Sequence, residues 1–336
     1  MTHEFINIMK QARIWHRLGR KSVLASVVDL DGSSYRKPGV RMLINDQSET
    51  FGAVSGGCVE KEIILQAQNV FKSKTPMMIT YDGRLRLGCE GILYVLLELI
   101  EVSDDLYNIV NKSIKKRLTI GVKSFYRREK GTCPQGGTII YFKGHIFNLQ
   151  TQKANQTSSL IFEENLPPLF RLVIIGGEHD AVQLCRSASQ LGWEVHIVVS
   201  PDEQKTIGDF PGAQHFHTPL NHQIDRSLID NQTAVVLMTH SYTKDVYYLK
   251  ALQNTYPAYF GLLGPKKRKG QLIDRLLEMV PDIDLAFIEQ FHGPAGINIG
   301  ASSAQEISVS ILAEILAVIR KQEPILLKNK KGAIHA

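Results

Sequence analysis

The chain has 336 residues, 43% hydrophobic and 21% charged, a balance that excludes a disordered chain and suits about two packed domains. The net charge of +6 is spread out apart from Lys266-Lys267-Arg268-Lys269, so it favours anionic partners without marking a nucleic-acid binder. No stretch has the apolar length of a membrane span or a signal-peptide core, and Cys58, Cys89, Cys133 and Cys185 form neither CxxC nor an iron–sulfur run. The expectation is a cytoplasmic protein with free thiols and neither structural zinc nor a ferredoxin-type cluster.

In chain order, Phe5, Ile8, Met9, Ala12, Trp15 and Leu18 recur at helical spacing and predict a helix over 3–18. Residues 22–32 read as a strand ending in a turn, 39–54 as two strands joined by a polar loop, 58–72 as a helix, and 76–81 and 94–100 as strands. Further strands are expected in 117–126 and 138–148, the last a hairpin around Lys143-Gly144. Residues 150–168 are polar apart from Leu160-Ile161-Phe162 and end in two prolines, so a linker is expected there, closing an α+β first domain over 1–160.

Beyond it the pattern alternates. RLVIIGG (171–177) precedes a helix to about Leu191, and EVHIVVS (194–200), AVVLMTH (234–240), AYFGLLG (258–264) and LAFIEQF (285–291) read as further strands leading towards helices. Such alternation predicts a Rossmann-like, doubly wound parallel sheet over 161–322. Its last helix opens with a capping box, Ser303-x-x-Glu306, and lines Ile307, Ile311 and Ile315 on one face. Residues 323–336 read as a frayed tail.

Two places invite chemistry. In Ser55-Gly56-Gly57-Cys58 an apolar strand meets a glycine turn and a helix start, with Glu60 just beyond. Free backbone N–H groups there suit an anion, and the positive end of the helix dipole favours a thiolate. The alternative reading of Cys58 is a small apolar filler at a turn. Cys89, in the glycine-bounded Gly88-Cys89-Glu90-Gly91, offers a second sulfur; two soft sulfurs near an anion cradle suit molybdenum or sulfur transfer.

The second place is the crest of the parallel sheet. The first strand–turn–helix reads Gly176-Gly177-Glu178-His179, where a dinucleotide site needs a glycine in place of Glu178, and the second strand ends in Ser200 where ribose binding needs an acid. The fold is therefore expected without tight NAD(P) binding. His179, His240 and His292 follow three strands and read either as metal or anion ligands or as loop histidines bonded to backbone, with Asp245 one turn beyond His240. The Lys266–Lys269 run reads as a solvated helix face or a phosphate contact.

Asp31-Gly32-Ser33-Ser34-Tyr35-Arg36-Lys37-Pro38-Gly39-Val40-Arg41-Met42 with Gly52-Ala53-Val54-Ser55-Gly56-Gly57-Cys58-Val59-Glu60 resembles the N-terminal signature of the xanthine dehydrogenase accessory-factor family, the XdhC/CoxI type. Thr239-His240, Gly261-Leu262-Leu263-Gly264 and the run from His292 to Ala301 resemble its later motifs, and the likeness spans all but 101–165 and the tail. The resemblance implies a non-catalytic chaperone that binds the molybdenum cofactor (molybdopterin). It further implies that the chaperone helps sulfurate the cofactor with a cysteine desulfurase as sulfur source, and delivers it to xanthine dehydrogenase or a related molybdenum hydroxylase. The cofactor contacts it implies are Arg36, Arg41, Ser55, Gly56, Gly57, Cys58, Glu60 and Cys89; the crest of the second domain adds Gly176, His179 and His240 as candidates.

Departures from the family pattern are Tyr35 for Pro, Glu90 for Gly, Glu178 within the usual Gly-Ala-Gly-His, and Ser200 for an acid. The alternatives are an NAD(P)-linked oxidoreductase, a xanthine dehydrogenase-associated subunit, or a docking protein using its basic surface. Too few cysteines are present to house xanthine dehydrogenase's own clusters. A homodimer is expected.

Overall fold

The computed structural model describes residues 2–32, 37–55, 57–83, 91–150 and 160–331. The chain divides into two compact units, Met1–Pro168 and Leu169–Ala336. No helix among the described residues is long and apolar enough to cross a membrane.

In the first unit, helix α1 (Thr2–Arg17) buries the predicted stripe of Phe5, Ile8, Met9, Ala12 and Trp15. Strands β1 (Ser22–Asp31), β2 (Arg41–Asn45) and β3 (Thr50–Gly52), helix α2 (Cys58–Ser73), strands β4 (Met77–Asp82) and β5 (Ile92–Ile100) and helix α3 (Asp104–Lys115) follow. Then come β6 (Ile120–Tyr126), β7 (Gly131–Thr132), β8 (Gly137–Phe142), β9 (His145–Asn148) and β10 (Leu160–Leu166). They form two antiparallel sheets, β3-β2-β1-β5-β4-β7 and β10-β6-β8-β9. Alternation along β1 serves two cores. Val23, Ala25 and Val27 pack with Val59, Ile63, Ala67 and Val70 of α2, whereas Leu24 packs with α1, Val122 and Ile140.

Two elements here depart from the sequence reading. Helix α3 escapes it, although Ser103 caps the helix by accepting the Leu106 N–H. Part of the expected linker is strand β10, paired antiparallel with β6 from Leu160↔Tyr126 to Leu166↔Ile120. It is an edge strand, and the charge and exposure that protect an edge give the same composition as a linker. The division therefore falls after Pro168 rather than at 160.

The second unit carries β11 (Arg171–Ile175), α4 (His179–Gln190), β12 (Glu194–Val198), β13 (His215–His217), β14 (Thr233–Leu237) and α5 (Tyr242–Ala251). It continues with β15 (Tyr259–Leu262), α6 (Lys266–Met279), α7 (Leu285–Glu289), β16 (Phe291–His292) and α8 (Ala304–Ile319). All its strands are parallel, in the order β13-β12-β11-β14-β15-β16. Helices α4 and α8 cover one face and α5, α6 and α7 the other. The α8 capping box is present, with Ile311 and Ile315 fully buried. The expected strand over 285–291 is mostly helix. Asp284 caps α7 by accepting the Ala286 N–H, and Phe287 is buried against Phe260 and Phe291 while Leu285 faces outward.

A fully buried carboxylate helps link the two sheets of the first unit. Glu98 of β5 is fully buried and accepts both the N–H and the hydroxyl of Thr138 on β8, whose hydroxyl also meets Ser124. Burial pushes the Glu98 carboxyl up to about 7 against the Thr138 bonds and the Arg41 charge, from an ordinary 4.5. Above 4.5 the unfolded chain has lost the proton that folded Glu98 retains, so stability falls as pH rises from 4.5 to about 7. The loss reaches at most about 3 kcal/mol, at roughly 1.4 kcal/mol per pH unit. Glu98→Gln is expected to flatten that slope and to be the more stable protein at alkaline pH, as read from urea midpoints on either side of neutrality.

Candidate functional site

In the second unit the strand order reverses between β11 and β14, so the turns after these two strands flank the crevice where open parallel sheets bind ligands. The turns nearly touch. Gly176 has φ 140°, and a Cβ there would lie 2.3 Å from the Met238 carbonyl oxygen. Across the crevice, His240 adopts φ 57°, and its Nε2 lies 3.4 Å from Asp180 Oδ2 on the first turn of α4. His179, Asp180 and His240 thus gather at the switch point.

Asp245 and Arg268 support this crest rather than line it. Asp245 is 2% exposed, accepts the Thr239 hydroxyl, and pairs with Arg268 at 2.6 Å. Lys269 Nζ donates to the Phe291 carbonyl. The basic run is therefore partly structural, neither wholly a solvated face nor a phosphate clamp.

A dinucleotide fits this crest poorly. Glu178 is the extended N-cap of α4 and makes no side-chain cap bond. An acid does reach the turn, but from Glu203 rather than Ser200: its Oε2 lies 3.1 Å from where a Cβ on Gly177 would be, while Lys205 Nζ bonds the Gly177 carbonyl. Two carboxylates stand at the helix end where a pyrophosphate needs open backbone N–H groups.

His292 does not join the other two histidines. It lies on edge strand β16 opposite Gly261, stacks on Tyr259, and sits 3.1 Å from Glu314 of α8. Glu314 also accepts Tyr259 Oη and the Gly296 N–H. A three-histidine crest is thereby corrected: an edge strand separated by β15 from β14 cannot deliver a ligand to the switch point.

In the first unit, Cys58 is the first residue of α2, a helix of 16 residues. Gly57 caps it at φ 59° and, lacking a side chain, leaves the first-turn N–H groups uncovered by any cap oxygen. Glu60, in that same turn, buries a carboxylate oxygen that has no hydrogen-bond partner among the described residues. A cavity of about 280 Å³ opens beside the turn, lined by Val59, Glu62, Ile79–Asp82 and Lys130. Ser55 is half-buried just before the turn. Arg36, Gly56, Cys89 and the Cys58 side chain lie outside the described residues.

Arg41 points elsewhere. It is 5% exposed, donates to the Gly39 carbonyl at 3.0 Å, pairs with Glu164 of β10, and covers the Phe5 ring. Its charge is spent inside the unit, and no feature of its own neighbourhood could have shown this, because the partner belongs to a strand hidden in linker-like sequence. Cys133 and Cys185 are buried thiols, both pushed up by burial, and read as packing.

Two family models match the chain: the XdhC and CoxI family over residues 15–82 and the XdhC Rossmann domain over residues 172–315. Over 317 residues the chain is 27% identical to a Bacillus subtilis (strain 168) protein named as a probable subunit of xanthine dehydrogenase, covering 88% of this chain and 92% of that one. Over 310 residues it is 25% identical to the Escherichia coli (strain K12) "Molybdenum cofactor insertion chaperone PaoD", covering 91% and 86%. The fold is shared with a Bacillus halodurans protein whose crystal structure is described as a xanthine dehydrogenase, with TM-score 0.75 and 24% identity over 94% of this chain and 96% of that one.

Three stability outcomes follow from this geometry. Arg41→Met alone strands Glu164 in a site where its side chain is 11% exposed, and is expected to cost about 3 kcal/mol or more, whereas the Arg41→Met, Glu164→Leu pair recovers most of it. Gly176→Ala is expected to cost about 2 kcal/mol or more through the Met238 contact. Gly270→Ala, in α6 with open space around it, instead gains up to about 1 kcal/mol. Urea unfolding of the variants reads all of these.

Proposed function

The chain belongs to the XdhC and CoxI family, and from that premise we propose that it binds the molybdenum cofactor and delivers it to xanthine dehydrogenase or a related molybdenum hydroxylase. It acts as a carrier rather than as the enzyme. The names of two relatives, one an insertion chaperone and the other part of a xanthine dehydrogenase, support this direction.

The observation that carries the reading is the start of α2. A glycine cap leaves backbone N–H groups uncovered, a thiol occupies the first helical position, and a cavity opens alongside. Uncovered N–H groups at the positive end of a helix hold an anionic edge such as the cofactor's phosphate, and the same field favours the Cys58 thiolate. The orphaned Glu60 oxygen is an acceptor awaiting a donor, and a pterin ring supplies N–H groups of that kind. Gly57, Cys58 and Glu60 therefore suit an occupant that is anionic at one end and a donor at the other. Ser55, Gly56, Arg36 and Cys89 complete the proposed set, and Gly176, His179 and His240 form a second candidate surface in the Rossmann-like unit.

Sulfuration of the bound cofactor, with a cysteine desulfurase as sulfur donor, and a homodimeric state belong to the same proposal. The NAD(P)-dependent alternative is opposed by Glu178 and Glu203 at the α4 turn.

Anaerobic titration with molybdenum cofactor, followed by its optical spectrum, tests the reading. Wild-type protein is expected to bind it, Cys58→Ala to bind about tenfold more weakly or more, equivalent to about 1.4 kcal/mol, and NADH not to bind. Absence of cofactor binding by the wild-type chain would overturn the proposal; equal binding by both proteins would remove Cys58 from the site.

A further inference from the structure

The edge of the parallel sheet away from His292 holds a cluster that cofactor handling does not use. Strands β12 and β13 pair in parallel with His196 directly opposite His215. Residues two apart on a strand share a face, so Glu194 and His196 of β12 stand on the same side as His215 and His217 of β13. Glu194 Oε1 lies 3.6 Å from His196 Nε2 and 3.6 Å from His215 Nε2. One ligand atom from each of the three residues falls within 4.8 Å of the others. At ligand bonds of about 2.0–2.2 Å, two donors on one ion stand roughly 3.0–3.6 Å apart for angles between about 90° and 120°. The two measured separations lie at the upper end of that range.

A second observation is independent of the spacing. His196 is 3% exposed, yet its Nε2 has no hydrogen-bond partner among the described residues, an uncommon state for a buried ring nitrogen. Its other nitrogen, Nδ1, is engaged with His217 Nε2 at 3.0 Å. When Nδ1–H is the donor in that bond, the Nε2 lone pair faces a carboxylate oxygen, and a cation between them makes that arrangement favourable; in the other tautomer Nε2–H points at the carboxylate instead. The former is how a supporting residue fixes the tautomer of a metal-bound histidine. Arg171 completes the support. Its Nε holds the other oxygen, Glu194 Oε2, at 2.9 Å, and its Nη1 donates to the Leu228 carbonyl, so Oε1 is left oriented towards the two imidazoles.

We propose that Glu194, His196 and His215 form a binding site for a divalent transition-metal ion of the zinc class. Two imidazoles and one carboxylate are a donor set for such ions rather than for magnesium or calcium. The side chain of His215 is half exposed, so the coordination positions left over face solvent. The ion clips the three-residue edge strand β13 to β12, and it does so without the cysteines whose spacing spoke against zinc in the sequence. His217 and Arg171 are positioning residues.

The test is titration of the untagged, metal-stripped full-length chain with Zn²⁺ by calorimetry, with Co²⁺ absorption as a second readout. One ion per chain is expected, with a Kd of about 1 μM or tighter, a rise in Tm on saturation, and a visible Co²⁺ spectrum typical of low coordination number. His215→Ala alters an exposed side chain, so folding is retained; it is expected to weaken binding more than tenfold and to abolish the Tm shift. His217→Phe, which keeps a ring but removes the bond to His196, is expected to weaken binding by about tenfold. His145→Ala, in the first unit, leaves the affinity unchanged. No stoichiometric uptake by the wild-type chain, or equal uptake by His215→Ala, would overturn the proposal.

Discussion

The second unit depends on a backbone contact that admits no side chain: Gly176 against the Met238 carbonyl. Strands β11 and β14 are hydrogen-bonded neighbours, and their turns diverge immediately above the last pair. A residue at φ 140° facing a carbonyl at van der Waals range must be glycine. That constraint sets the crevice width, brings Asp180 within reach of His240, and places both at the point where strand order reverses. Thr239, Asp245 and Arg268 then fix the far wall from below.

What differs is the chemistry laid on that geometry. A dinucleotide site leaves the helix end bare and keeps its acid for the ribose. In this chain Glu178 occupies the cap, and Glu203 with Lys205 closes on Gly177. The fold is retained while the anion cradle is not, a reminder that function resides in the site and not in the architecture. Helix α2 of the first unit has the opposite character: glycine cap, uncovered N–H groups, a cysteine and an orphaned acceptor.

The sequence reveals those parts of the fold that rest on local periodicity. Helix α1, the β1–β5 framework, the alternating second unit and the α8 capping box are all readable because their apolar positions recur at 3.6 or 2 residues. It conceals whatever depends on distant pairing. Arg41 reads as a cofactor contact because it lies in the stretch that resembles the family signature; its partner Glu164 sits on β10, whose edge-strand composition mimics a linker. The three crest histidines read alike because each follows an apolar run, and only strand order separates His292 from the other two. The short helix α7 reads as a strand because Leu-Ala-Phe-Ile is apolar throughout and too short to display its period, so the Asp284 cap decides.

The Glu194-His196-His215 cluster shows the same limit from the other side. Glu194-x-His196 and His215-x-His217 each carry the alternation that puts two side chains on one face, and that signal is present in the sequence. Neither pair means anything until β12 and β13 are known to be neighbours, and β13 is only three residues long. The placement is also informative in itself. Charged and polar residues at a sheet edge are commonly a device against edge-to-edge pairing, and charge on β13 alone would serve. Charge alone does not explain a histidine 3% exposed with an unsatisfied ring nitrogen, held in one orientation by a second histidine. An ion that joins the strands answers both needs, protecting the edge and satisfying the nitrogen.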